Sequence, residues 1–163
     1  MLNFIQNKFA PVFYIQIWEN KLKITNIETK ESFEDKPLIA VKTMGSGEKR
    51  IVAIGAKAST LESHDTIVAN PFSHPRTLLK DFYVGEKVLQ HAFSTLYKNR
   101  FPRFKAKSIV HPMEKLEGGL TMIEARAFRE LAVGAGSFSA KIYVGDPLSI
   151  NQLDFDKVKS LDD

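Results

Sequence analysis

The chain has 163 residues, 44% hydrophobic and 26% charged, with a formal net charge of +4 and no cysteine. That length and apolar share suffice for one buried core, so a single domain is expected. Without cysteine, disulfides and thiolate-ligated zinc or iron–sulfur sites are excluded, and His64, His74, His91 and His111 stand at no metal-ligand spacing, so no metal is expected either.

At the start of the chain, Leu2, Phe4, Ile5 and Phe9, with Lys8 between them, compose a short amphipathic face suited to weak membrane contact or to packing on the domain. This opening lacks a signal-peptide pattern, and no run approaches the ~20 apolar residues that span a bilayer, so a cytoplasmic protein is expected. Residues 12–18 are aromatic and β-branched, Glu19 and Asn20 suit a turn, and residues 21–27 alternate polar with apolar side chains, which predicts a β-hairpin. A third strand is expected at 38–42, a glycine-containing turn at 44–49 and a fourth strand at 50–54. Residues 56–75 read as a short helix followed by loop, with Asn70-Pro71 and His74-Pro75 disfavouring further helix.

From residue 77 to 97 the period changes. Leu78, Phe82, Val88, Leu89, Ala92, Phe93 and Leu96 fall largely on one face, which predicts a helix packed on a sheet. A strand at 103–111, a polar loop, a helix at 121–133 closed by Gly134-Ala135-Gly136 and a strand at 141–144 follow. The strand–helix–strand crossovers imply parallel pairing and the hairpins antiparallel pairing. The expected fold is therefore α/β, a mixed sheet flanked by helices with a ribonuclease-H-like core, over residues 1–150. Residues 151–163 read as an acidic tail with little left to pack.

Few residues advertise chemistry. Thr121 and Glu124 have capping-box spacing, which satisfies orphan amides at a helix start. The 44–49 stretch has glycines and a lysine but lacks GxxxxGK[ST] spacing and leads into a strand, so it reads as a turn. Residues 100–107 interleave basic and aromatic side chains, a pattern that can bind single strands, yet it is short and follows a helix end, and no nucleic-acid partner is expected. A ribonuclease-H-type nuclease needs an acid on its first strand, where this chain has Gln16.

Asp81-Phe82, Glu86-Lys87, Leu89-Gln90-His91, Thr121 to Glu124, Arg126, Arg129-Glu130, Gly134-Ala135-Gly136 and Asp146-Pro147 together resemble MreB, the rod-shape-determining bacterial actin family. The resemblance runs over about residues 1–150 and covers less than half of a full MreB. It implies an actin-like domain in which Glu124 corresponds to the glutamate that orients the attacking water, accompanied by Thr121. It also places the first phosphate loop at Gln16, Ile17, Trp18 and Glu19, where neither the family's aspartate nor its glycine is present. The glycine would let backbone amides approach a phosphate, and a carboxylate there repels one. The second phosphate loop and the adenosine region fall in family sequence beyond this stretch.

The expectation is therefore a degenerate MreB-like protein without cofactor or catalytic residue, Thr121 and Glu124 being vestiges. It would be a protein-binding module meeting an MreB-type filament, the envelope machinery or a second copy of itself. The alternative is an ATPase half that completes its cleft with itself or another chain.

Overall fold

The computed structural model describes residues 1–98 and 103–163. Helix α1 (Leu2–Phe9) has no buried residue and is tied to the rest by Phe9 stacking on Phe104 at 5.6 Å and by Gln6 Nε2 donating to the Lys105 carbonyl at 2.7 Å. The hairpin of β1 (Val12–Ile17) and β2 (Leu22–Asn26) forms as expected, with Ile15 opposite Ile24 and Ile17 opposite Leu22. A strand the sequence reading passed over, β3 (Ser32–Asp35), then pairs antiparallel with β2.

The chain next leaves this sheet to build a smaller one. Strands β4 (Ile39–Thr43), β5 (Lys49–Ile54) and β6 (Thr66–Ala69) form an antiparallel sheet in the order β5-β4-β6, the first two joined by the expected turn and the third also unforeseen. The predicted short helix is a 3-10 turn at Ala56–Thr60. It starts at Gly55, whose φ of 96° favours glycine and whose missing side chain leaves room for the Asp35 carboxylate that accepts from the Ala56 amide at 2.8 Å.

Helix α2 (Phe82–Tyr97) begins later than residue 77, where the Asp81 carboxylate caps the Val84 amide. Strand β7 (Ala106–Pro112), helix α3 (Met122–Ala135) and strand β8 (Ser137–Ile142) complete the fold. The last strand starts four residues before the predicted 141, directly after the Gly136 cap, whose φ is 126°. The main sheet has the order β3-β2-β1-β7-β8, antiparallel on the hairpin side and parallel for β1, β7 and β8. This is the expected mixed α/β architecture, with a second sheet added to it.

One face of the main sheet, including Phe13, Ile15, Ile17 and Val110, packs against Val88, Leu89 and Phe93 of α2 and Phe128 and Leu131 of α3. The other face is covered by the end of the chain, which corrects the expectation of an acidic tail at 151–163 with little left to pack. Phe155 is buried with Val12, Tyr14 and Ile109, supported by Leu148, Leu153 and Val158. Arg129 grips Asp162 through two hydrogen bonds of 2.6 and 2.5 Å, and Lys141 Nζ donates to the carbonyls of Phe155 and Val158 at 2.8 Å. The Ser160 hydroxyl accepts from the Ile142 amide and the Leu161 amide donates to the Ile142 carbonyl. Residues 148–162 thus act as a strap that supplies the layer the second face requires.

Candidate functional site

Because β1, β7 and β8 are parallel, their carboxyl ends lie at one edge of the sheet, where open α/β folds generally bind ligands. Three connections meet at this edge. They are the β1–β2 turn, the loop from β7 to α3, and the segment from the small sheet to α2.

The turn holds the predicted residues 16–19. Ile17 is fully buried in the core, and Gln16 points to the other face with Nε2 3.9 Å from Met113 Sδ. The Trp18 amide closes the turn on the Lys21 carbonyl at 2.9 Å, and the Lys21 ammonium lies 4.0 Å from the centre of the indole ring. Glu19 sits at the tip, half exposed. Its carboxylate pairs with Lys115 Nζ at 2.9 Å, its amide donates to Glu114 Oε2 at 2.7 Å, and its carbonyl accepts from Asn70 Nδ2 at 2.8 Å. Lys115 also donates to the carbonyls of His74 and Phe72, at 2.6 and 3.2 Å. These bonds tie all three connections together.

Thr121 and Glu124 stand at the start of α3, at the end of the β7–α3 loop. The Thr121 hydroxyl oxygen accepts from the Glu124 amide at 3.2 Å, while Glu124 Oε2 accepts from the Thr121 amide at 2.9 Å and from its hydroxyl at 2.8 Å. This is the capping box anticipated from the spacing. The bond from the Thr121 amide, with help from the hydroxyls of Thr121 and Thr77, holds the Glu124 carboxyl below the ordinary range, so it stays ionised and bound to its own helix start. Thr77 belongs in turn to the loop anchored by Lys115, since its amide donates to His74 Nδ1 at 3.3 Å. The edge is therefore one polar chain running from Glu19 through Lys115, His74 and Thr77 to Glu124.

Leu2, Phe4, Ile5 and Phe9 are on α1, at the amino end of β1 and away from this edge, with their side chains largely in solvent. Of the basic and aromatic run at 100–107, residues 100–102 lie outside the described residues; Lys107 lies 5.3 Å from the Phe155 ring centre. Among the described residues no cluster of histidine and carboxylate side chains suits a metal, and no helix is long and apolar enough to cross a membrane.

Two groups escaped the sequence reading. Lys115 carries no motif, and its partner is 96 residues away in the chain, so only the fold reveals it. His111, noted only as one of four scattered histidines, is buried on the second face of the sheet. Its Nδ1 lies 2.6 Å from Tyr14 Oη and its Nε2 lies 3.0 Å from the Gly145 carbonyl, while Tyr14 Oη accepts from the Leu148 amide at 3.2 Å.

No family model matches the chain. The uncharacterised protein YjaA of Escherichia coli (strain K12) is 37% identical over 70 residues, a match covering 39% of this chain and 54% of that protein; the chain thus spans about half the length of this curated relative. Among solved structures the chain is similar to MreB5 of Spiroplasma citri bound to ADP, with a TM-score of 0.64 and 15% identity over 84% of this chain and 39% of that one. The same protein bound to AMPPNP gives a TM-score of 0.65 at 15% identity, covering 83% and 39% of the two chains. A non-polymerising mutant of MamK bound to AMPPNP gives 0.60 at 8% identity, covering 83% and 41%. The fold is therefore actin-like, and the chain spans about two fifths of each of these neighbours.

Proposed function

We propose that the chain is a degenerate MreB-like protein associated with cell shape, which acts in the cytoplasm as a non-catalytic protein-binding module. Its partner would be a filament of MreB type, the envelope machinery or a second copy of the chain, and α1 would add a weak membrane contact. The observation that carries this reading is how the strand-end edge spends its polar groups. The neighbouring structures hold ADP or AMPPNP. A triphosphate at the corresponding edge of this chain would meet the carboxylates of Glu19, Glu114 and Glu124, while the Lys115 ammonium is committed to three acceptors. Like charges in such proximity repel, and the backbone amide of Glu19 at the turn tip is already held by Glu114. A protein surface is supported by apolar side chains that face solvent in register: Ile51 and Ile67 flank Val41 on one face of the small sheet, and Ile123 projects from the start of α3.

Isothermal titration of the purified chain with magnesium-ATP is expected to give no binding heat, and tight binding would refute the proposal. The alternative, an ATPase half completed by another copy or a second chain, draws on the fact that this chain spans only 39% of MreB5. Under it, Glu124→Gln would abolish ATP hydrolysis by the reconstituted complex while leaving the helix content unchanged.

A further inference from the structure

Helix α3 buries Ala125, Phe128, Leu131, Ala132 and Ala135 and turns its opposite face to solvent. At 3.6 residues per turn, Ile123, Arg126, Glu130 and Val133 fall within about 80° of one another on that outward face. Two of them are apolar, with Ile123 83% and Val133 44% exposed. The other two are charged and unspent. Among the described residues neither the Arg126 guanidinium nor the Glu130 carboxylate takes part in a hydrogen bond or ion pair, whereas the neighbouring Arg129 is held by Asp162. Arg126 and Glu130 do not pair with each other either, and an arginine four residues ahead of a glutamate is the less favourable order for a pair along one helix.

The face reads apolar, positive, negative, apolar, and it is symmetric about the level of Phe128. Arg126 and Glu130 stand two residues to either side of that level, ~3 Å along the axis, and Ile123 and Val133 five residues, ~7.5 Å. A second α3 laid antiparallel across the face, about a two-fold axis at Phe128, therefore sets each Arg126 against the other copy's Glu130 and each Ile123 against the other copy's Val133. A parallel pairing in register would instead set every charge against its like. We propose that this face of α3 is the surface through which two copies of the chain associate as a closed, two-fold dimer. The inference rests on the protein-binding reading above and selects a second copy from among its partners. A shallow depression beside the face, lined by Met122, Ile123, Arg126, Arg129, Glu130 and Asp162, gives incoming side chains room to seat. The apolar ends supply the attraction, and the two reciprocal ion pairs at the centre fix the register. Because the same face serves both copies, assembly closes at two and does not grow into a filament. One helix face offers less than the ~800 Å² per partner of a standard interface, so the dimer is reversible, with a Kd on the order of 10–100 µM.

The test is sedimentation velocity of the full chain at low ionic strength, over concentrations from about tenfold below to tenfold above that Kd. The native chain is expected to pass from one copy to two. Arg126→Glu and Glu130→Arg each place like charges at both central contacts and should weaken association about tenfold or more. Mixed in equal amounts, the two variants are expected to associate again, because each carries the charge that the other lacks. Both positions are exposed, so thermal unfolding of each variant should match the native chain. Should either charge reversal fail to fold, Ile123→Ser removes an apolar end of the same face and should weaken the dimer several-fold. A native chain that stays monomeric over the whole range, a dimer indifferent to these substitutions, or a mixture of the two reversed variants that stays monomeric would overturn the inference. Each of those results leaves the binding of a different protein intact as the proposed function, which tight magnesium-ATP binding would refute whatever the oligomeric state.

Discussion

Tyr14 and His111 show how a buried polar pair can serve stability without chemistry. The Tyr14 hydroxyl donates to Nδ1 and accepts from the Leu148 amide, and Nε2–H donates to the Gly145 carbonyl, an assignment that fits a neutral imidazole and leaves no polar atom of the pair unmatched. Burial pushes the His111 pKa below its ordinary value of 6.5 and raises that of Tyr14. Since unfolded His111 binds its proton more readily than folded His111, the contribution to stability is fully present above about pH 6.5 and declines as pH falls toward the depressed folded value. Denaturant unfolding at pH 7.5 and 5.5 should record that loss, and His111→Gln should flatten it. Tyr14→Phe, which strands Nδ1 and the Leu148 amide in the interior, is expected to cost about 1–3 kcal/mol at pH 7.5 by the same measurement. The tyrosine and histidine were readable as residues, but their pairing was not, because it depends on β1 and β7 lying side by side in parallel register.

Among the elements, α3 was the most legible. Its apolar period, its Thr121–Glu124 opening and its glycine stop are all local signals, and the helix runs from Met122 to the Gly136 cap. Thr121→Ala removes the hydroxyl from the Glu124 amide and should lower stability by about 1 kcal/mol, read as a shift in denaturation midpoint. The first hairpin was equally plain, because β1 is dense in aromatic and β-branched residues and β2 alternates over Leu22, Lys23 and Ile24 after a turn-forming Glu19-Asn20. By contrast β3 has one apolar residue, Phe33, among Ser32, Glu34 and Asp35, and β6 is four residues long beside a proline-rich loop; each is a strand because a neighbour pairs with it, a non-local cause that propensity does not encode. Helix α1 is the opposite case. At eight residues with none buried, it is shorter than helices that persist alone in water, so its order depends on the Phe104 and Lys105 contacts. If it touches a membrane as proposed, the chain should cosediment with anionic vesicles, and Phe4→Ser should reduce the bound fraction several-fold with no change in thermal stability. Equal sedimentation of the two chains would remove α1 from that role.

For the molecule as a whole, the strap changes what the sequence suggested about independence. Residues 151–163 read as a solvated tail because their apolar residues, Leu153, Phe155 and Val158 among them, follow no helical or strand period; with Leu148 and Ile150 just before them they are spaced to meet a surface already made by other elements. Partial burial of several such side chains is worth a few kcal/mol in total, a large share of the stability of a domain this size. Deleting residues 148–163 should therefore leave Val12, Tyr14 and Ile109 exposed and yield a chain that binds a hydrophobic dye and elutes as aggregate; a monomeric, cooperatively folding product would show that the strap is dispensable. Acid should loosen the same attachment. The Arg129 guanidinium, aided by the Ser160 hydroxyl, lowers the Asp162 pKa from 3.8 to about 2, so that clamp persists above about pH 4 and is lost as pH falls through about 2.

The bonds from Ser160 and Leu161 to Ile142 have a further consequence, for how copies of the protein behave when crowded together. An edge strand with open amides and carbonyls offers a template on which a foreign strand can add, and β8 is such an edge in the five-stranded sheet. Both backbone groups of Ile142 are already occupied by the strap, so a strand growing along β8 would have to stop there. At the opposite margin, β3 has only four residues, with Ser32 and Glu34 exposed. Short length and charge at one margin, and an intramolecular stopper at the other, let the sheet remain unextended in solution.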